Sequence, residues 1–322
     1  MAFELSEKTW KLGFTTGHGQ KPRERTVAAR HQARLLQEIA QAKRRFGLPE
    51  TALGVSCYEA GREGFWLHRF WQAQGITNQV VDSSAIEVNR RQRRAKSDGL
   101  DVRKLLSMLM RYEQGERDVW RVVHVPSVEA EDGRHLPRDL ETLKQERAST
   151  TTRIKGLLSS QGIRLTNLNK FPEQLDALRL WDGSEIPSGL RRRLLRVWAH
   201  HQFLSEQIAE LEAERRALLQ SVQEASLEKV RQLMQLKGIG INGAWLLVME
   251  FFGWRELKNR REVGGLAGLT PTPYQSGVST REQGITKAGN RHVCWMATEL
   301  AWSWVRYQPE SALSAGARTV WT

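Results

Sequence analysis

The sequence has little cysteine and no long uninterrupted apolar run. Its 322 residues include two cysteines, Cys57 and Cys294, which excludes a disulfide framework and a cysteine-rich zinc site and suits a reducing cytosol. No apolar run approaches the roughly 18 residues of a membrane span. The first residues, MAFELSEKTWKLGF, carry acids where a secretory signal needs an apolar core. We therefore expect a cytoplasmic protein with no membrane partner.

Positive charge is what the chain has in excess. It carries 49 Lys and Arg against 36 Asp and Glu, a formal net charge of +13, and its pI is about 10.1. Such a surplus attracts polyanions, with nucleic acid as the first expectation and an acidic membrane surface as the second. The composition, 40% hydrophobic and 26% charged, is that of a folded globular protein long enough for two domains.

Strands and helices alternate along the first part of the chain, which indicates an α/β domain. Apolar periodicity and turn residues predict strands at 1–14, 53–59 and 76–82, and helices at 27–46, at 65–75 and from 97 through 109.

The middle and the end of the chain have helical patterns. Residues 138–161 and 189–230 are rich in Leu, Glu, Arg and Gln, which predicts an antiparallel coiled coil or, alternatively, a solvated helix pair inside one domain. The last hundred residues predict a compact, mainly helical domain. In it, a helix–glycine turn–helix precedes a loop-rich basic stretch at 264–292 and a Trp-rich helix at 293–307.

Four acids of the α/β domain occupy positions that suit metal binding. Glu4 lies in the opening strand and Glu59 ends the strand at 53–59, while Asp98 and Asp101 share one face at the start of a helix. Acids in a first helical turn are more often capping residues than catalytic ones. Together with two strand acids, they form the pattern by which a ribonuclease-H-like fold holds Mg²⁺.

Two further segments suit phosphate binding. The basic run at 89–96 lies just before the Asp98–Asp101 helix, and arginine forks match phosphate geometry; its alternative is a solvated turn. The segment Lys237-Gly238-Ile239-Gly240 follows a helical pattern, which disfavours a dinucleotide fingerprint and favours a helix-hairpin-helix turn or a plain helical hairpin. The predicted nucleic-acid-binding residues are Arg90, Arg91, Arg93, Arg94, Lys96, Lys237, Gly238, Gly240, Lys287 and Arg291.

The order of SCYEAG, RRAKSDGLD, LKGIG and GLTPTPYQSG…ITKAGNRH resembles the DEDD transposases of the bacterial insertion sequence 110 family, closest to its 1111 branch. The resemblance covers nearly the whole chain. It implies a RuvC-like (ribonuclease-H-fold) domain at 1–137, a coiled-coil dimerisation region at 138–228 and a C-terminal transposase domain at 229–322.

The resemblance also implies an activity and its site. Glu4, Glu59, Asp98 and Asp101 would hold Mg²⁺, and Ser276 would form a transient covalent link to DNA. The implied partners are donor and target DNA, a structured bridge RNA and further copies of the chain in a dimer or tetramer, associated with the bacterial nucleoid.

The sequence departs from the family pattern at two places. Glu4 stands where the family has Asp, so its carboxylate lies one methylene further from the backbone. After PESALS the chain ends in AGARTVWT, where relatives continue with more basic helix, so we expect a truncated or frameshifted copy. Three alternatives stay open: a metal-only nuclease or junction resolvase with water as nucleophile, an inactive nucleic-acid-binding remnant, and, most distantly, a dehydrogenase.

Overall fold

The computed structural model describes residues 1–83, 86, 98–169, 171–221, 223–276, 279–286 and 289–321. The chain divides into two compact units, Met1–Val125 and Pro126–Thr322. The first unit is mixed α/β and the second is mainly helical. No helix of the described residues is long and apolar enough to cross a membrane.

The first unit is built on a five-stranded mixed sheet with the strand order β3-β2-β1-β4-β5. β1 pairs with β2 and β2 with β3 in antiparallel fashion, whereas β4 runs parallel to β1 and β5 parallel to β4. Its elements in chain order are β1 Ala2–Leu5, β2 Thr9–Phe14, β3 Arg23–Ala28, α1 Gln32–Arg45, β4 Gly54–Glu59, α2 Trp66–Ala73, β5 Ile76–Val81 and α3 Asp98–Glu113.

Two apolar clusters cover the two faces of this sheet. One face packs against α1 and α2 around Phe3, Trp10, Tyr58 and Trp71, and the other packs against α3 around Ala2 and its neighbours. Because side chains alternate along a strand, each central strand contributes to both clusters.

The second unit contains a long antiparallel helix pair followed by shorter helices and one β-hairpin. Its elements are α4 Val128–Asp132, α5 His135–Ser159, α6 Phe171–Ala177, α7 Ser188–Ser221, α8 Ala225–Met234, α9 Ile241–Leu247, a π-helical turn Val248–Phe252, α10 Arg260–Ala267, β6 Pro271–Ser276, β7 Ser279–Ile285, α11 Arg291–Tyr307 and α12 Ala312–Trp321.

The helices α5 and α7 run antiparallel. Ile154 and Leu158 near the end of α5 pack with Leu194 near the start of α7, while Lys144 further back on α5 pairs with Glu212 near the end of α7. The predicted helix pair is therefore present, and both helices belong to the second unit. Its assignment as a coiled coil that joins two chains stays a prediction.

Several of the predicted elements have different bounds, and the helix expected at 189–230 is two helices, α7 and α8. The strand expected at 1–14 is two strands, because residues 6–8 form a turn in which the Trp10 indole donates to the Ser6 carbonyl. The helix expected from residue 27 begins at Gln32, since Val27 pairs with Trp10 in the sheet and Arg30 turns the chain with φ +63°. The stretch expected to be loop-rich contains the end of α10 and the β6–β7 hairpin.

Candidate active site

Two of the predicted metal ligands lie at the ends of neighbouring parallel strands. Ala2 pairs with Cys57 and Phe3 with Tyr58, so Glu4 follows next to Glu59. Ala2 and Cys57 face α3, and the next residues, Phe3 and Tyr58, face away from it. By alternation, Glu4 and Glu59 return to the α3 face of the sheet.

The direction of α3 brings its first turns to the same end of the sheet. The Cys57 thiol lies 3.9 Å from the Leu105 carbonyl oxygen. Further along the helix, Leu109 and Glu113 line a cavity with Met1 and Val55, at the start of β1 and β4. The helix therefore runs opposite to these strands. Asp101, one turn before Leu105, lies toward the strand ends that carry the two glutamates.

The described side chains do not by themselves converge on one point. Among them, no group of three His, Cys, Asp or Glu is close enough to hold a metal ion, so Glu4, Glu59 and Asp101 do not form such a group. The backbone of Asp98 begins α3, whereas its side chain lies outside the described part. The donor types, all carboxylate oxygens, are those that Mg²⁺ prefers.

Basic side chains share this face of the sheet with the acids. Lys11 is the cross-strand partner of Glu4, and its ammonium lies 3.7 Å from Glu24. Arg103 of α3 also pairs with Glu24. Both cations pair with Glu24, so this face of the sheet carries positive charge as well as the candidate acids.

Cys57 is inert at this site. It is fully buried, and burial raises the pKa of its thiol to about 12. Because the thiolate is the reactive form of cysteine, this side chain is an apolar packing group between the sheet and α3.

The serine implied by the family resemblance lies at the tip of the hairpin in the second unit. Ser276 ends β6 and pairs with Ser279 of β7; its side chain and residues 277 and 278 lie outside the described part. Tyr274, on the same strand, is half exposed. At the other end of the hairpin, the Thr286 amide donates to the Thr270 carbonyl at 2.9 Å.

The segment after the hairpin is held closely against α10. A Cβ atom on Gly289 would lie 2.3 Å from the Gly268 nitrogen and 2.6 Å from the Leu266 oxygen, so no larger residue fits there. The Asn290 amide donates to the Leu266 carbonyl at 3.1 Å. Its side chain also caps α11 by accepting from the amides of residues 292 and 293.

A buried acid ties this segment to the helix pair. Glu250 is fully buried in the π-helical turn and bonds to Arg138 of α5 through both of its oxygens. The Asn290 side chain donates to the same carboxylate at 2.8 Å. Nearby, His292 lies 2.6 Å from the Glu141 carboxylate. We call Arg138, Glu250, Asn290, His292 and Glu141 the Glu250 network.

Hydrogen bonding sets the ionisation of Glu250. Burial alone raises the pKa of this carboxyl, but the bonds from Arg138 and Asn290 outweigh burial, and the net pKa lies below its ordinary value. This network was missed from the sequence, because residues 138, 250 and 290 are far apart in the chain. The signal was a single acid inside the apolar run WLLVMEFF, since a buried charge needs partners.

The glycine turn at 238–240 connects two helices. α8 precedes it and α9 follows, so the strand that a dinucleotide fingerprint requires is replaced by a helix. The Gly238 carbonyl accepts from Ser303 at 2.7 Å, and the Lys237 carbonyl accepts from Gln308. Two carbonyls of the turn are thus engaged with the C-terminal helices, while Gly240 is exposed.

The remaining predicted nucleic-acid contacts are mostly outside the described residues. This applies to Arg90, Arg91, Arg93, Arg94, Lys96 and Lys287. Arg291 is described and is exposed at the first position of α11.

Comparison with known proteins identifies the class. The family model "Transposase IS116/IS110/IS902 family" matches residues 230–314, from within α8 to the start of α12. Over 98% of this chain and 82% of the relative, the sequence is 38% identical to "Putative transposase y4rJ" of Sinorhizobium fredii. It is 28% identical to the transposase for insertion sequence element IS1328 of Yersinia enterocolitica, over 49% of this chain and 45% of that protein. The chain belongs to the IS116/IS110/IS902 transposase family.

Proposed function

We propose that this transposase cuts and rejoins DNA through a serine–DNA intermediate, with Mg²⁺ held by the acids of the first unit. The observation that carries the proposal is the placement of Glu4 beside Glu59, on the sheet face toward which α3 brings Asp101. The strand order β3-β2-β1-β4-β5, with two antiparallel pairings followed by two parallel ones, supports a ribonuclease-H-like fold for this unit.

The acids have a defined part in the proposed reaction. Glu4, Glu59, Asp98 and Asp101 would hold the metal through carboxylate oxygens, which are the ligands that hard divalent cations take. When bound, Mg²⁺ polarises a phosphodiester and stabilises the leaving oxygen. Glu4 lies one residue before the end of β1. Its side chain, longer than that of Asp, would reach the site from there.

Ser276 would act as the nucleophile. Its hydroxyl oxygen forms a bond to phosphorus as the bond from phosphorus to the leaving DNA oxygen breaks. The serine hydroxyl loses one proton and the released DNA oxygen gains one, so the step is balanced. A hydroxyl of another strand then attacks the phosphoserine, regenerates the serine and completes the exchange. Its position at the tip of a hairpin would let Ser276 reach a DNA strand.

The proposed partners follow from the same reaction. We propose that a structured bridge RNA pairs with donor and target DNA and so selects the sites, because the chain itself would read only backbone and shape. A net charge of +13 supports such a cargo. We also propose a composite site in which the serine of one protomer meets the acids of another, with the α5–α7 pair as the dimer element.

A covalent-adduct assay tests the proposal. The full chain is incubated with flanking RNA of its element, labelled donor and target DNA and Mg²⁺, and a denaturant-resistant protein–DNA band is sought. We expect the band to disappear in Ser276→Ala and in Asp101→Ala. Ser279→Ala, across the hairpin from Ser276, and Glu7→Gln, an exposed acid paired with Arg62, are the matched controls that retain it.

Two outcomes would overturn the serine mechanism. Free DNA ends that persist in Ser276→Ala but vanish in Asp101→Ala would assign the reaction to a metal-dependent nuclease that uses water. Salt-sensitive binding with neither an adduct nor cut ends would identify a nucleic-acid binder without strand chemistry.

A further inference from the structure

Three arginines near the start of α7 are exposed and have no acidic partner among the described residues. Arg192, Arg193 and Arg196 are all exposed, and no described Asp or Glu forms an ion pair with any of them. Their neighbour Arg191 differs, since it pairs with Asp176. On an ordinary solvated helix face, acids lie one turn away from the arginines. This segment has no acids at those positions.

The three arginines share one face with two further groups. At 3.6 residues per turn, positions 192, 193, 196, 200 and 203 fall within an arc of about 100°. His200 is exposed, and Phe203 is 55% exposed. The buried residues of α7 lie outside this arc; they are Leu194, Leu204, Ile208 and Arg215. We call Arg192, Arg193, Arg196, His200 and Phe203 the α7 stripe.

The surroundings of the α7 stripe strengthen its positive charge. Residues 153–203 contain nine Lys or Arg and four Asp or Glu. Among these acids, Asp176 bonds to Arg191, Glu185 pairs with Arg179, and Asp182 accepts from Ser184. Two of the four acids are therefore balanced by arginines outside the stripe, and the nine basic and four acidic residues leave this segment a net charge of +5. An exposed aromatic side chain, Trp181 at 81% exposure, belongs to the same part of the chain.

We propose that the α7 stripe binds a single-stranded polynucleotide. Arg192, Arg193 and Arg196 would contact successive phosphates through their guanidinium forks. Phe203, further along the same face, would stack on an unpaired base. Aromatic faces beside a basic track are the features by which proteins hold strands whose bases are not paired. A duplex keeps its bases inside the stack and would leave Phe203 without a partner.

This inference goes beyond the proposed strand exchange. It concerns residues that contribute nothing to the acid or serine positions, and it stands whether or not Ser276 reacts. DNA and RNA strands share the phosphates and base faces that the stripe would contact, so oligo(dT) and oligo(U) are expected to bind alike. A preference for one of them would point to contacts with the sugar instead.

The test is equilibrium binding of the full chain in EDTA, with fluorescently labelled oligo(dT), oligo(U) and a duplex of equal length. We expect the triple variant Arg192→Gln, Arg193→Gln, Arg196→Gln to bind both single strands at least tenfold more weakly at about 0.1 M salt. Its salt-dependence slope should be lower by about 2, near 0.7 for each lost phosphate contact. The charge-matched control is Lys21→Gln, Arg44→Gln, Arg45→Gln, three exposed cations of the first unit, with less than a threefold effect.

A second variant separates stacking from charge. Phe203→Ala should weaken binding to oligo(dT) about tenfold and leave binding to an abasic oligonucleotide unchanged. Leu195→Ala, at 38% exposure on the same helix but off the stripe, is its control. Wild-type affinity of the triple variant would overturn the proposal. An equal loss on duplex and single strands, with no effect of Phe203→Ala, would also overturn it in favour of a duplex-backbone surface.

Discussion

In this transposase, the strand-end acids of the first unit and Glu250 of the second unit lie in opposite settings. At the ends of β1 and β4, Glu59 is exposed and Glu4 is half-buried, and the donors that would complete a metal site come from another element. In the second unit Glu250 is fully buried and bonded to both Arg138 and Asn290. A carboxylate that binds a cation must stay reachable, whereas a buried one must be satisfied by the protein itself. The first setting therefore suits chemistry and the second suits rigidity.

The largest effect that would test this contrast is the loss of charge at Glu250. Glu250→Gln keeps the shape of the side chain but weakens the bonds to Arg138 and Asn290, so we expect the second unit to lose about 2–3 kcal/mol of unfolding free energy. Glu59→Gln, the same change at an exposed strand end, should alter stability by less than about 0.5 kcal/mol. Urea denaturation of the full chain measures both, and equal losses in the two variants would remove the distinction.

The next effect concerns how closely the second unit is packed beside this network. Gly289→Ala would place a methyl group 2.3 Å from the backbone nitrogen of Gly268, and backbone cannot move aside as a flexible side chain can. We expect a loss of about 2 kcal/mol. In Gly265→Ala, within α10, the added methyl group meets no atom within 4 Å, and a gain of up to about 1 kcal/mol is expected from helix propensity.

Thermal unfolding of the two glycine variants is the measurement. A stable Gly289→Ala protein would mean that the segment before α11 can shift away from α10. The hairpin that carries Ser276 would then be held less firmly than the contacts of Gly289 and Asn290 indicate.

A smaller effect is expected where α3 crosses the sheet of the first unit. A Cβ atom on Gly13 would lie 2.7 Å from the Leu106 side chain and 3.2 Å from that of Val102. Because these atoms can rotate, Gly13→Ala should cost only about 1 kcal/mol. It would also move α3, which carries Asp98 and Asp101. We therefore expect DNA cleavage to fall although the variant stays folded. Gly17→Ala, with open space around it, is the control for both readouts.

The strand-end acids could be predicted from the sequence better than the Glu250 network. Glu59 could be singled out because a short apolar strand ends in an acid, and Asp101 because two acids share one face at the start of a helix. Both are local patterns, and strand pairing then determines which of them meet. Family membership is confirmed by the relatives, whereas the roles of the four acids and of Ser276 stay predictions.

The Glu250 network had no such local pattern. Arg138, Glu250 and Asn290 come together only through the packing of α5, the π-helical turn and the start of α11, so their contacts depend on tertiary structure. The hairpin at 271–285 was missed for a related reason. Its Gly, Pro and Ser residues are typical of loops, and its pairing depends on the register between two short strands.

The last test separates the two settings by pH. The pKa of Glu250 in the folded chain lies below its ordinary value of 4.5, so its ionised form stabilises the fold fully above that value. This contribution is lost as the pH falls below 4.5 and through the lower folded pKa, where the carboxylate takes up a proton and its bond to Arg138 weakens. Wild type and Glu250→Gln, compared by urea denaturation from pH 7 to pH 3, should therefore differ most at neutral pH and converge in acid. A difference that is constant across this range would show that ionisation of Glu250 does not stabilise the fold, and the contrast with the strand-end acids would then rest on burial without charge.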